Sequence, residues 1–270
     1  MPEGDTVWLT ARRLGQALAG HPLTRAELRV PQLATTDLTG MTVREVVSRG
    51  KHILTRLDSG LTLRSHLRMD GSWQIVRTGA RWRGGPAYAV RAVLGNPQWE
   101  CVGLRVHDLA VVATDAEHEL VGHLGPDLLG PDWDPAEAER RLRAEPDREI
   151  GPALLDQRNL AGIGNMYMAE LLFLRGIHPW TPVGAAVDLP ALLALAARVL
   201  LANRDHPSQS TVGGQARDGE HWTYLRAGQP CRRCGTTICS AEQGAAPYVR
   251  TTYWCPHCQP AVENAAPRSS

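Results

Sequence analysis

Two cysteine knuckles near the C-terminal end limit this chain more than any other feature. They read CRRC at 231–234 and CPHC at 255–258, twenty residues apart. Knuckles at this spacing place four thiolates tetrahedrally about Zn2+ at about 2.3 Å, with the intervening chain folded back as a hairpin. We therefore expect one structural zinc ion on Cys231, Cys234, Cys255 and Cys258. Cys239 and His257 are spare donors nearby, so spacing alone leaves the set of four open, although paired knuckles favour the all-cysteine set. With every position filled by protein, no water can bind, and the metal holds the hairpin without taking part in catalysis. Cys101 stands apart and reads as a buried core thiol.

At 270 residues the chain can bury a substantial core and hold two domains or more. It has no run of about 18 apolar residues, and its first 25 residues lack the charged-then-apolar order of a secretion signal. The expectation is a soluble, cytoplasmic (nucleoid-associated) protein with no membrane partner. The net charge of +1 divides into +4 over 1–77, −5 over 78–150 and +2 over 151–270. Two mildly basic ends about an acidic middle are compatible with a polyanion held between two lobes. Of the 29 basic residues 28 are arginine, and the single lysine is Lys51 in SRGKHIL. A primary amine kept in so arginine-biased a chain is a candidate for chemistry.

The chain opens MPEGDTVW. Removal of the initiator would leave Pro2 with a free secondary amine and Glu3 with an acid one residue away, the pair that imine chemistry needs. An α-amino group is roughly 14% neutral at pH 7, whereas an unperturbed lysine is only about 0.04% neutral. The terminal nitrogen is thus the better nucleophile by about a hundredfold unless Lys51 is strongly desolvated.

Asp5 and Thr6 read as caps of a helix whose apolar positions Trp8, Leu9, Leu14 and Leu18 recur at helical spacing, with Gly20 ending it. From Leu23 to about Val112, short alternating runs such as TVREVV, HILTRL, LTLRSHL and SWQIVR are separated by turn residues, the pattern of an antiparallel β-sandwich or barrel. GHLGPDLLGPDWDP reads as a linker into a helical region containing helices at 135–143, from GPALLDQ, over NMYMAELLFLRG and at 190–203. In LAGIGNMY a glycine-rich turn brings Asn165 to a helix start, where unpaired N–H groups and the dipole favour a phosphate. Arg250 lies five residues before Cys255, on the hairpin the metal would fix, and its guanidinium offers forked donors to phosphate.

MPEG, RGK, HLRMDG, GIGNMY and the CxxC pair with its intervening arginine occur in one order. With these motifs the chain resembles the formamidopyrimidine-DNA glycosylase and endonuclease VIII family along nearly its whole length, and looks closest to the endonuclease VIII branch. The resemblance implies an α+β multidomain fold: an N-terminal antiparallel β-sandwich with a flanking helix (1–120), a linker (121–131), a helix-two-turn-helix DNA-binding domain (132–225), a four-cysteine zinc-finger β-hairpin (226–262) and a disordered tail (263–270). It implies a monomer that binds damaged DNA, duplex or partly single-stranded. The implied activity is that of a bifunctional DNA glycosylase and AP lyase of base-excision repair, acting on oxidised bases with pyrimidines favoured. A lyase restricted to abasic sites and a non-catalytic zinc-dependent nucleic-acid-binding protein are the alternatives.

By the same resemblance Pro2 matches the nucleophile, Glu3 the acid, Lys51 the lysine of β-elimination and Arg250 the zinc-finger arginine linked to δ-elimination. Asn165 matches a phosphate ligand. Arg68, Met69 and Asp70 fall where the family fills the gap left by a flipped base, and VGGQARDGEHW (212–222) matches its lesion loop. Three positions depart from the pattern. Thr6 replaces a usual glutamate, His123 stands where relatives can carry an arginine, and Asp70 occupies a place where a bulkier wedge is expected.

Overall fold

The computed structural model describes residues 2–83, 85–185, 188–213 and 220–261. The centre of the 212–222 loop and the 263–270 tail lie outside the described residues. The chain divides into two compact units between His123 and Leu124.

The first unit begins with helix α1 (Gly4–Leu18), preceded by Glu3 in extended conformation. Asp5 and Thr6 do not cap it. The boundary residue is Glu3, whose carbonyl accepts from Val7 N–H at 3.0 Å, and Asp5 is buried inside the first turn. The capping expectation failed because Gly4, without a side chain, lets the helix begin directly after extended Glu3. The helix also stops two residues short of Gly20, at Leu18.

Eight strands follow: β1 (Arg25–Leu28), β2 (Val43–Arg49), β3 (His52–Leu57), β4 (Leu61–His66), β5 (Ser72–Arg77), β6 (Val90–Gly95), β7 (Trp99–Leu104) and β8 (Asp108–Ala113). They make two antiparallel sheets in the orders β2-β3-β4-β8 and β1-β6-β7-β5. Val7, Ala11, Leu14 and Leu18 of α1 share a core with Ile53 and Leu63 of one sheet and Leu94 and Cys101 of the other. Truncating Leu14 to alanine in such a core costs about 3 kcal/mol. Cys101 is the buried core thiol expected of it, and burial pushes its pKa up to about 12. Asn96 closes the β6–β7 turn: its side-chain oxygen accepts from Gln98 and Trp99 N–H, and its amide donates to Ala17 at the end of α1. A short helix α2 (Glu117–Val121) ends the unit.

In the second unit the stretch read as a linker is packed rather than loose. Leu124–Leu128 is buried, Gly125 N–H donates to Gln157 and Leu128 N–H to Ala161. Helices α3 (Pro135–Arg143), α4 (Ile150–Leu155), α5 (Asn165–Arg175) and α6 (Leu189–Asn203) then enclose a core centred on α5, which is buried from Asn165 to Phe173. Asp134 caps α3 by accepting from Ala136 and Glu137 N–H, and left-handed Gly176 ends α5. The hairpin of β9 (Cys239–Gln243) and β10 (Arg250–Trp254) is locked to these helices through Gln243. Its amide donates to Glu149 and to the Pro179 carbonyl, each at 2.9 Å, while its oxygen accepts from Thr252. Gly151 makes room for it, since a Cβ there would stand 2.5 Å from that oxygen. Among the described residues no helix is long and apolar enough to cross a membrane.

Candidate active site and metal centre

In the first unit Pro2 is half-buried and Glu3 wholly buried, both at the N-terminus of α1, whose dipole favours the neutral form of a nearby amine. α1 packs on β2 and β3. Those strands are joined by the two-residue turn Gly50-Lys51, in which Gly50 takes φ +56. Positive φ at the first loop position suits a tight hairpin and explains the glycine before the lysine.

Beyond Lys51 the strand register supplies residues that the sequence did not single out. His52 lies opposite His66, and their rings meet edge to face at 4.7 Å. Burial, then the charge of neighbours including His66 itself, pushes His52 down to about 3, with Arg64, Asp108 and His123 within electrostatic reach. Burial and the charge of Arg68 push His66 down to about 4, with Lys51 also felt there. Both imidazoles are therefore neutral at physiological pH. The Nδ1 of His66 accepts the Arg68 N–H at 3.1 Å, and that of His52 is buried with no hydrogen-bond partner.

The structure thus gathers Lys51, His123 and the 67–71 turn about this histidine pair. Within the turn, Arg68 takes a left-handed φ of +53, and Gly71 N–H closes back on Leu67, where a Cβ at 71 would lie 2.5 Å from the Leu67 oxygen. The Arg68 guanidinium is engaged by Asp108, which Arg64 also holds. Asp70 is ion-paired with Arg105 at 3.2 Å. Met69 is left projecting, 64% exposed. His123 is exposed at the last position of the unit.

In the second unit Asn165 opens α5 after Gly164, and its side-chain amide reaches the hairpin. That amide donates to the Thr251 carbonyl of β10 at 2.8 Å, and the side-chain oxygen is buried without a partner. The neighbouring Arg250 is exposed, its guanidinium donating to the Val249 carbonyl at 2.8 Å. Two of the expected residues are therefore brought together on one helix end and one strand.

Glu170, on the same helix, was missed. It is fully buried, and its carboxylate accepts from the N–H groups of Trp222, Thr223 and Tyr224 at 2.7, 2.8 and 2.9 Å and from the hydroxyls of Thr211 and Thr223. The one available signal was an acid inside the otherwise apolar run MYMAELLFL.

The sulfurs of Cys231, Cys234, Cys255 and Cys258 lie within 4.8 Å of one another, with Cys234–Cys255 at 3.5 Å and Cys231–Cys258 at 4.0 Å. A tetrahedron of thiolates about 2.3 Å from a cation has sulfurs about 3.8 Å apart, so the donor set fits a single ion. Cys239 is outside the cluster, with its thiol toward the Thr237 carbonyl, and His257 is not part of it. Cys258 is pushed up to about 12 by burial and by its sulfur neighbours, so four thiolates this close call for a cation.

Residues 1–161 match the formamidopyrimidine-DNA glycosylase N-terminal domain, and residues 124–200 match the formamidopyrimidine-DNA glycosylase H2TH domain. The chain belongs to the formamidopyrimidine-DNA glycosylase family. Within this glycosylase family its relatives place it in the endonuclease VIII branch. It is 56% identical over 264 residues to probable endonuclease 8 2 of Streptomyces coelicolor, spanning 96% of this chain and 94% of that protein. It is 44% identical to the DNA-(apurinic or apyrimidinic site) lyase Nei2 of Mycolicibacterium smegmatis, across 97% of this chain and 100% of that one. To endonuclease 8 of Escherichia coli it is 33% identical, across 96% and 100%. Among solved structures, the Lactococcus lactis formamidopyrimidine-DNA glycosylase bound non-covalently to DNA with an AP site superposes with a TM-score of 0.80 at 25% identity, covering 96% of this chain and 100% of that one.

Proposed function

We propose that the protein is a bifunctional DNA glycosylase and AP lyase of base-excision repair, which removes oxidised bases, pyrimidines above all, from damaged DNA through an imine on Pro2. The observation that carries this reading is the Pro2-Glu3 pair at the start of α1, with a secondary amine that removal of Met1 would free and a wholly buried acid beside it. Family membership and relatives named endonuclease 8 and AP lyase support the reaction class.

The damaged nucleotide is extruded, because C1′ cannot be reached within the base stack. Met69, with Arg68 and Asp70 behind it, enters the gap. The neutral Pro2 nitrogen bonds to C1′ as the bond from C1′ to the base breaks, and the proton left on that nitrogen passes to the departing base. Glu3 gives its proton to the ring oxygen, which leaves C1′ as the sugar opens to the iminium. The iminium acidifies C2′–H; Lys51 assists loss of that proton, and the 3′ phosphate departs. Loss of the 5′ phosphate follows, with Arg250 stabilising the leaving group, and hydrolysis of the remaining imine frees Pro2. The products are an unsaturated sugar fragment and a one-nucleotide gap with phosphate at both ends.

Asn165, Arg250 and exposed His123 serve as DNA contacts. One Zn2+ on the four cysteines holds the β9–β10 hairpin, and the closed thiolate set leaves it no place for a reacting water. The protein acts as a monomer.

Borohydride reduction during turnover should join Pro2 covalently to the DNA. Equal adduct and cleavage from Pro2→Gly, or from protein retaining Met1, would overturn the assignment of the nucleophile. Duplexes carrying thymine glycol, 8-oxoguanine or an abasic site separate the alternatives. A lyase restricted to abasic sites traps without releasing base, and a non-catalytic binder does not trap at all.

A further inference from the structure

One end of the first unit carries a groove that none of the proposed chemistry uses. It has a volume of about 820 Å3, a floor that includes Ile75, Trp82 and Trp99, and a rim that includes Arg77, Arg81 and Arg83. Ile75 and Arg77 belong to the C-terminal half of strand β5, Trp99 begins β7, and the other three lie on the β5–β6 loop. β5 starts just after the 67–71 turn, so the Arg77 end is roughly 17 Å along the strand from the residues proposed to enter DNA. The groove is therefore a separate surface.

Its charge is unbalanced. Several guanidiniums elsewhere in the unit are matched to acids: Arg25 to Glu27 and Glu100, Arg29 to Glu27, Arg56 to Glu45 and Glu117, Arg64 and Arg68 to Asp108, Arg105 to Asp70. Among the described residues, Arg77, Arg81 and Arg83 meet no carboxylate, and all three are exposed. The floor, by contrast, is fixed. Arg77 stacks on Trp99 at 4.0 Å, while Trp82 lies under Arg25 at 5.0 Å and donates from Nε1 to Glu100 at 2.8 Å.

We propose that this groove docks an acidic peptide segment of a partner protein, an extended stretch in which carboxylates flank one apolar side chain. Guanidinium forks pair with carboxylates in two-point contacts, and the Ile75–Trp floor takes the apolar anchor of the kind that dominates peptide affinity. A single nucleic-acid strand is disfavoured, because it needs bare ring faces for its bases to stack on, and here a face of each tryptophan is already covered by arginine. The proposal is independent of the DNA chemistry.

The test uses the full chain and a fluorescein-labelled peptide of aspartates around a central leucine, followed by fluorescence anisotropy. Arg81→Glu with Arg83→Glu should weaken binding about tenfold or more, and replacing the leucine by glycine should weaken it several-fold. Both arginines are exposed and unpaired, so the double variant should keep the wild-type melting temperature and the wild-type rate of cleavage at an abasic site. No saturable binding below about 1 mM, or equal binding by wild type and double variant, would overturn the proposal. So would a larger loss of affinity for single-stranded DNA than for the peptide, which would assign the groove to nucleic acid.

Discussion

The side-chain amide of Asn165 donates to the Thr251 carbonyl at 2.8 Å, which ties the first residue of α5 to the strand residue next to Arg250. The helix end and the β9–β10 hairpin are one mechanical piece at this point. Asn165→Ala removes this bond and should lower stability by about 1 kcal/mol. Asn165→Asp sets an anionic oxygen against the same carbonyl and should cost more. Both should cut DNA strands more slowly, with the aspartate variant slower. Denaturant melts showing aspartate as benign as alanine would contradict this geometry.

The four-sulfur cluster predicts one metal per chain, read as zinc by elemental analysis. Cys258→Ser, or prolonged chelation, should release the ion and expose the β9–β10 hairpin to protease, because burial and its sulfur neighbours push Cys258 up to about 12 and four thiolates this close cannot stay anionic together without a cation. Chelated protein that resists cleavage at the hairpin and still cuts DNA would argue against a structural ion.

The His52–His66 pair predicts an unusual acid sensitivity. Both folded-state values, about 3 and about 4, lie below the ordinary 6.5, so the unfolded chain binds more protons between these limits. Stability from this pair is complete above about pH 6.5 and falls as pH drops toward about 4, with a slope of up to about 1.4 kcal/mol per pH unit per histidine, reduced by the partial exposure of the rings. The neighbouring acid Asp108 is held below its ordinary value by Arg64 and Arg68 despite burial, so its loss begins only under more acid conditions. Chemical denaturation across this range should show the slope in the wild type and a flatter one in His52→Phe. Parallel curves would remove the histidines as the cause.

Glu170 predicts a large penalty for losing one charge. Glu170→Gln turns an amide NH2 toward a set of donors and should destabilise the second unit by about 3 kcal/mol. Measured stability within about 0.5 kcal/mol of wild type would mean the donors can turn elsewhere.

The strands around TVREVV, HILTRL, LTLRSHL and SWQIVR were legible because alternation survives in a sheet with one buried face, and the cysteine knuckles because their ligand spacing is local. Lys51 stood out by composition alone. The start of α1 was misread because a capping rule sees Asp5 and not the freedom of Gly4. What the sequence could not express were contacts between distant positions. Arg68 is claimed by Asp108 forty residues later, and Glu170 by groups 41 to 54 residues on. His52 meets His66 only through the β3–β4 register. The bond from the Asn165 amide to the Thr251 carbonyl spans 86 residues, so no local pattern reveals it.

The Gly50-Lys51 turn holds every ε-amine in the polypeptide, set among 28 arginines. Guanidinium groups stay protonated and do not acylate near neutrality. Among amines, an isotope-bearing ester added to the intact protein therefore has only two possible addresses, this turn and the terminal nitrogen. Nature has in effect pre-labelled the molecule, with a solitary reporter site planted beside two uncharged imidazoles.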